Sequence, residues 1–222
     1  MQLPGPGVFG PPEDRDLALV ILRCAVDAGV NHIDTAQFYG PDVANELIHQ
    51  ALHPYPDDLV LVSKVGAARS GTGEWLAAQQ PAELLAGIQA NLASLGLDQI
   101  PVVNLRRHPE SDVPFAEQLD AMIAMREEGL IGSIGLSNVS LEQYRVARGR
   151  FHPENPVLGA PAVKEMARRL EVMPAQVALA WLLYQAPTVL LIPGTSSLEH
   201  LGENLGAGNL VLDQVALEVL TG

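Results

Sequence analysis

Apolar runs of strand length alternate with amphipathic runs of helix length along the whole chain. VNHID (30–34), LVLVSKV (59–65), IPVVNLR (100–106), IGSIGLS (131–137) and TVLLIPG (188–194) are continuous apolar segments of the kind buried on both faces of a sheet. Between and after them the spacing of apolar residues predicts helices over 14–28, 42–52, 81–95, 113–128, 141–148, 160–170, 174–185 and 198–205, with Gly29 and Gly96 as stops. Such alternation calls for a parallel sheet covered by helices, met equally by a barrel and by an open doubly wound sheet. No G-x-G-x-x-G follows the first strand, which weakens the open dinucleotide-binding sheet. No linker, repeat or low-complexity stretch divides the chain, so residues 1–222 read as one domain.

A chain of 222 residues suits one α/β barrel. Hydrophobic residues make up 48% and aromatic residues only 5%, so the core is aliphatic. A net charge of −13 argues against a basic surface for nucleic acid, and an anionic cofactor would need a local site that overcomes that field. Cys24 is the single cysteine and sits on an apolar helix face; with no intrachain disulfide available, the chain reads as cytoplasmic. No apolar run approaches the ~20 residues of a membrane span, and MQLPGPGVFGPP lacks the pattern of a signal peptide.

In parallel α/β folds, chemistry gathers at the carboxyl ends of strands. Asp34 ends VNHID, with Tyr39 in the loop beyond it, and Lys64 stands near the end of LVLVSKV. Arg106 ends IPVVNLR, with His108 two residues on, while Ser137 and Asn138 end the next segment. Gly194, Thr195, Ser196 and Ser197 lead into the last helix. Lys64 is one of two lysines in the chain, and a charge on an apolar strand is expensive unless it snorkels or is paired. Asp34 alone reads equally well as a turn cap, and Tyr39 as a packed loop residue. Together they support one another: the carboxylate pairs with the ammonium, and the ammonium makes a phenol a usable proton donor to a carbonyl oxygen.

Other residues carry blander readings. His32 is a core histidine; His49, His53 and His152 lack metal-ligand spacing, so no metal site is expected. Trp75 reads as a loop residue at the mouth of the site and Trp181 as core. Phe38, beside Tyr39, is a pocket wall or a packing residue. No G-x-S-x-G motif points to hydrolysis.

The segments DAGVNHIDTAQFYG, LVLVSK, GSIGLSN, PAQVALAWLL and IPGTSSLEHLGEN, in that order, resemble the aldo-keto reductases. The resemblance implies a (β/α)8 TIM barrel that uses NADPH to reduce small aldehydes or ketones, with NAD left open as an alternative. It implies Tyr39 as proton donor, Lys64 as the cation that eases the proton's departure, and Asp34 as the anchor of Lys64. It implies that Ser137 and Asn138 bind the nicotinamide carboxamide. Ile192, Gly194, Thr195, Ser196, His200, Glu203 and Asn204 match the segment that grips the adenosine half of the cofactor. A Gly-Thr-Ser-Ser loop entering a helix offers amides and hydroxyls to a phosphate.

The family's fourth catalytic residue, a histidine, aligns with Arg106, which donates hydrogen bonds but is always protonated; His108 recovers the role only if the strand end is reshaped. Gly194 and His200 stand where the family's Lys and Arg meet the 2′-phosphate, which loosens the preference for NADPH. Between Arg148 and Phe151 a strand, a helix and a further strand are expected and missing, and only MQL remains of the first strand. The barrel is therefore incomplete in sequence. Three explanations stand: residues present in the molecule but not in this sequence, a shortened barrel closed by dimerisation or strand rearrangement, or a relative that has lost catalysis. The expectation is a carbonyl reductase. The alternatives are a nucleotide-binding module that senses redox state or assembles with a partner, as in a homo-oligomer, and an isomerase or aldolase with Lys64 as a Schiff base.

Overall fold

The structure is a computed structural model that describes residues 3–140, 143 and 161–221. The chain forms two compact units, Met1–His152 and Pro153–Gly222.

In the first unit, strands β1 (His32–Asp34), β2 (Val60–Val65), β5 (Ile100–Arg106) and β6 (Ile131–Ser137) form one parallel sheet in the order β1-β2-β5-β6. Helices α1 (Arg15–Asp27), α2 (Val43–Leu52), α3 (Pro81–Leu95) and α4 (Phe115–Glu127) alternate with them. Each helix carries local signals in its sequence. The Asp14 side chain accepts from the Leu17 amide at 2.8 Å to start α1. Pro81 opens α3, where Glu83 reaches back to the Gln80 amide at 2.9 Å, and Gly96, at φ 64°, ends it.

The apolar faces meet in two clusters. Leu19, Leu22, Leu47, Ile48, Leu61 and Leu95 fill the side nearer β1, and Val65, Leu84, Ile88, Val103, Leu105 and Met122 the side nearer β5. Each large aliphatic side chain so buried contributes about 1.5–3 kcal/mol.

Parallel pairing fixes the row of strand ends. Lys64 lies opposite Asn104, and Arg106 opposite Ser137. Val62 pairs with Asp34, which puts the acid one step back from Lys64 on the neighbouring strand. Two glycines permit this edge. Gly40, at φ 106°, turns the chain directly after Tyr39, and a Cβ there would stand 2.4 Å from the Cβ of Val43. Gly66, at φ 102°, lets β2 leave the sheet against the Arg106 carbonyl, 2.4 Å from where a Cβ would sit.

After β2 the chain makes an antiparallel hairpin that the strand-helix rhythm did not announce, β3 (Ala67–Arg69) and β4 (Trp75–Ala77). Trp75 is therefore a strand residue of this hairpin and not a loop residue. Cys24 is half-buried rather than buried on its helix face. Leu3, the described part of MQL, is buried and lies in a bend rather than a strand.

The second unit contains α5 (Pro161–Leu170), α6 (Pro174–Gln185), α7 (Leu198–Gly206) and α8 (Gln214–Thr221). Three of them, α5, α6 and α8, share a core of Val163, Met166, Val177, Ala178 and Ala216 with Leu212 just before α8, and Trp181 is partly buried against it. The strand expected over TVLLIPG does not form: residues 189–195 carry no regular structure, and Leu190 and Ile192 are 59% and 55% exposed. A strand exists only with a neighbour to bond to, and no strand occurs among the described residues of this unit. The helix expected over 141–148 falls outside the described residues except for position 143, as do His152 and the junction between Arg148 and Phe151.

Candidate active site

Three residues from three consecutive segments of the first unit converge at the sheet's carboxyl edge. Lys64 Nζ is ion-paired with Asp34 Oδ1 and also donates to the Thr35 carbonyl at 3.2 Å. The two side chains are only 9% and 13% exposed. A buried ammonium without that carboxylate would be costly, so the pair is mutually required. The same Nζ lies 5.1 Å from the centroid of the Tyr39 ring. Tyr39 is buried, with 9% of its surface exposed, beside the ammonium.

A polar cluster behind this trio holds the strand ends in place. Thr35 Oγ1 donates to Asn45 Oδ1 at 2.8 Å, and Asn45 Nδ2 donates to Asn91 Oδ1 at 2.9 Å and Ser94 Oγ at 3.0 Å. Ser63 Oγ donates to the same Asn91 oxygen at 2.5 Å. Asn91 Nδ2 donates to the Gly87 carbonyl at 2.8 Å and the Lys64 carbonyl at 3.4 Å. Thr35, Asn45, Ser63 and Asn91 are fully buried, and the network ties α2 and α3 to the residues flanking Asp34 and Lys64.

Arg106 and His108 diverge. Arg106 lies with its guanidinium carbon 4.9 Å from the Trp75 ring centroid and 5.9 Å from that of Phe38. Phe38 in turn stacks edge-on against Tyr39 at 5.3 Å and Trp75 at 5.6 Å. His108 sits in the turn after β5, where its Nδ1 accepts from the Glu110 amide at 3.3 Å. Between them, Arg107 turns inward and donates to Gln79 Oε1 at 3.0 Å and the Val113 carbonyl at 3.2 Å. Ser137 and Asn138 follow at the end of β6, with Ser137 Oγ 3.3 Å from Asn138 Oδ1 and Asn138 at φ 56°.

His32, on β1, is half-buried; desolvation pushes its imidazole below its ordinary value, with the Asp34 charge opposing. Remote from the trio, burial pushes the Tyr55 phenol up to about 12, and its hydroxyl donates to the Leu95 carbonyl at 2.7 Å.

In the second unit, the Thr195 hydroxyl donates to the Ser197 carbonyl at 3.2 Å and accepts from the Ser197 amide at 3.1 Å. Ser197 caps α7, accepting from the His200 amide at 3.3 Å. Its carbonyl also takes the Leu201 amide at 2.9 Å, the first bond of the helix. Ser196 and His200 are exposed, Glu203 and Asn204 half-buried, and Ile192 and Gly194 exposed in the preceding segment. A helix start of this kind, with the exposed Ser196 hydroxyl before it, is a place that could hold a phosphate.

Sequence reasoning did not single out Arg69, Asn45, Asn91 or Gln79. The one available signal was AARSGTGEWLA, two short runs around a Gly-containing loop, which is a hairpin signature. Among the described residues, no group of His, Cys, Asp or Glu is arranged to hold a metal, and no helix is long and apolar enough to cross a membrane.

Comparison with known proteins accounts for these features. The sequence model described as Aldo/keto reductase family matches residues 5–158 and 154–221. Pyridoxine 4-dehydrogenase of Escherichia coli (strain K12) is 41% identical over 266 aligned positions, covering 100% of this chain and 92% of that protein. Among solved structures, an aldo/keto reductase from Klebsiella pneumoniae in complex with NADP and acetate superimposes with a TM-score of 0.78 at 23% identity, covering 99% of this chain and 88% of that one. A glycerol dehydrogenase from Gluconobacter oxydans does so with a TM-score of 0.79 at 18% identity, covering 96% and 86%. These likenesses identify the fold as that of the (β/α)8 barrels. The chain belongs to the aldo/keto reductase family, whose members are nicotinamide-dependent oxidoreductases.

Proposed function

We propose that the chain interconverts small carbonyl compounds and alcohols with NADP(H), using Tyr39 as the proton donor. The contact of Lys64 with both Asp34 and the Tyr39 ring carries this reading. Tyr39 gives its hydroxyl proton to the carbonyl oxygen, and Lys64 stabilises the phenolate that remains. Asp34 holds the ammonium in place, and Arg106 donates a hydrogen bond to the substrate oxygen, a role for which His108 is the alternative. The chemistry supplied by the bound nicotinamide is transfer of a hydride to the carbonyl carbon. Ser137 and Asn138 bind the carboxamide and so select the ring face. Thr195, Ser196 and the amides at the start of α7 hold a phosphate, with Ile192, Gly194, His200, Glu203 and Asn204 completing the adenosine side. His200 favours a 2′-phosphate most when it is protonated.

The family match runs through both units, which supports reading residues 1–222 as one domain. The 41% identical relative makes pyridoxine, and the aldehyde formed by oxidation at its 4-position, the first substrates to test. The test is NADPH-dependent reduction across an aldehyde panel by the wild type and by Tyr39→Phe; full activity in the variant would end the proposal. A homo-oligomer and a cytoplasmic location accompany this reading and are checked by light scattering and cell fractionation.

A second reading is a nucleotide-binding module without turnover. It is favoured by the 266 aligned positions needed to match 222 residues, so the relative has residues that this chain lacks. Fluorescence titration with NADPH followed by a turnover assay separates the two: binding without turnover supports the module. Intact mass of the purified protein tests whether the residues between Arg148 and Phe151 are absent from the molecule.

A further inference from the structure

We infer that Arg69 and Trp75 of the β3–β4 hairpin, together with Arg106, form an anion subsite, and that the carbonyl substrate carries a carboxylate- or phosphate-type group held there. The inference rests on the reading of Asp34, Tyr39 and Lys64 as the reducing centre.

One indole serves two guanidiniums. The Arg69 carbon lies 4.2 Å from the Trp75 ring centroid and the Arg106 carbon 4.9 Å from it. Arg69 is further fixed by the Phe9 ring at 5.3 Å and by donation from Nη2 to the Gly7 carbonyl at 2.9 Å. Its Nε and Nη1, and Nε of Arg106, are buried donors with no partner among the described residues. Buried donors left unmade are costly, and two like charges beside one ring repel one another. An anion bound by those donors would satisfy them and offset the repulsion.

The contrast with neighbouring cations is informative. Arg107 satisfies itself on Gln79 and Val113, and Lys64 has Asp34. The chain has 26 acidic residues against 13 lysines and arginines, yet none of the described carboxylates pairs with Arg69 or Arg106. Phe38 links the two places, since its ring meets Tyr39, Trp75 and Arg106. The inference places the anionic substituent toward Arg69 when the substrate carbonyl lies at Tyr39, along the row of rings formed by Tyr39, Phe38 and Trp75.

The full chain is assayed with NADPH on benzaldehyde and on para-carboxybenzaldehyde. The wild type should favour the carboxylated aldehyde by about tenfold in kcat/KM, expressed in KM. Arg69→Gln should erase that preference, and Arg69→Lys should keep part of it. Equal kcat/KM for the two aldehydes, or equal losses on both in Arg69→Gln, overturns the inference. A second arm needs no turnover. In a Trp181→Phe background Trp75 is the sole tryptophan, and benzoate should quench its fluorescence saturably, with about tenfold weaker binding in Arg69→Gln. Benzoate binding without aldehyde reduction leaves the subsite standing and removes only the reductase reading. Absence of a benzoate response overturns the subsite. If Arg69→Gln weakens NADP+ tenfold and leaves benzoate unchanged, the anion belongs to the cofactor and the inference falls.

Discussion

The two units treat similar sequence signals differently. In Met1–His152, four apolar segments become strands because each finds a parallel neighbour, and their carboxyl ends carry Asp34, Lys64, Arg106 and Ser137 along one edge of the sheet, staggered in register. In Pro153–Gly222, TVLLIPG has an equally strand-like composition and remains irregular, with Leu190 and Ile192 in solvent. Helices form in both units, as their hydrogen bonds are internal to the segment. A strand is completed only by another strand, so its formation depends on what lies beside it. The chemistry follows the same division. The residues of the first unit are locked by a buried network, whereas Thr195 and Ser197 in the second rely on short-range bonds within one loop and one helix start.

Removing the ion pair probes the locked side most severely. Lys64→Met should lower aldehyde reduction about a hundredfold or more, since the phenolate left after proton transfer loses its counter-charge. It should also cost roughly 3–5 kcal/mol of stability, because Asp34 is left buried without a partner. Chemical denaturation of Lys64→Met alongside Asp34→Asn/Lys64→Met checks this, with the double variant recovering part of the loss.

Asn91→Ala tests the network directly. It removes the acceptor shared by Asn45 and Ser63 and the donor to Gly87 and Lys64, for a loss of about 1–3 kcal/mol in urea unfolding. A loss within experimental error would mean that the network contributes nothing to holding the strand ends.

On the other side of the comparison, Leu190→Ser should change stability by no more than about 0.5 kcal/mol, as expected for an exposed position. A loss of several kcal/mol would mean that this segment is covered in the molecule and that the contrast between the units is smaller than described.

The smallest effect concerns pH. Because burial lowers the affinity of folded His32 for a proton, the unfolded chain binds that proton more tightly. Its contribution to stability is complete above the ordinary imidazole value and is lost as pH falls through the lowered folded value. His32→Gln should therefore flatten the change in denaturation midpoint as pH falls below the ordinary imidazole value of about 6.5.

Much of the first unit was legible from residues alone. Asp14, Pro81 and Gly96 mark helix ends by local chemistry, and the observed helices begin and end within a residue or two of those marks. The grouping of Asp34, Tyr39 and Lys64 followed from strand ends sharing one edge. What escaped was the hairpin, including Arg69, and that Trp75, expected in a loop at the mouth of the site, is one of its strand residues. Arg69 and Trp75 are ordinary residues in sequence, and only folding β3 onto β4 sets them beside Arg106. Asn45 and Asn91 read as polar positions on amphipathic helices, and nothing local says that they face inward toward one another.

Periodicity, caps and the strand-ending charges thus specified seven of the helices, though not Gln214–Thr221, most strands and the membership of the reactive trio, because those properties depend on neighbours a few residues away. Which strand finds a partner, which arginine is satisfied and which asparagines are buried together were decided by packing. They depend on groups up to 62 residues apart, whose meeting no short window of sequence contains.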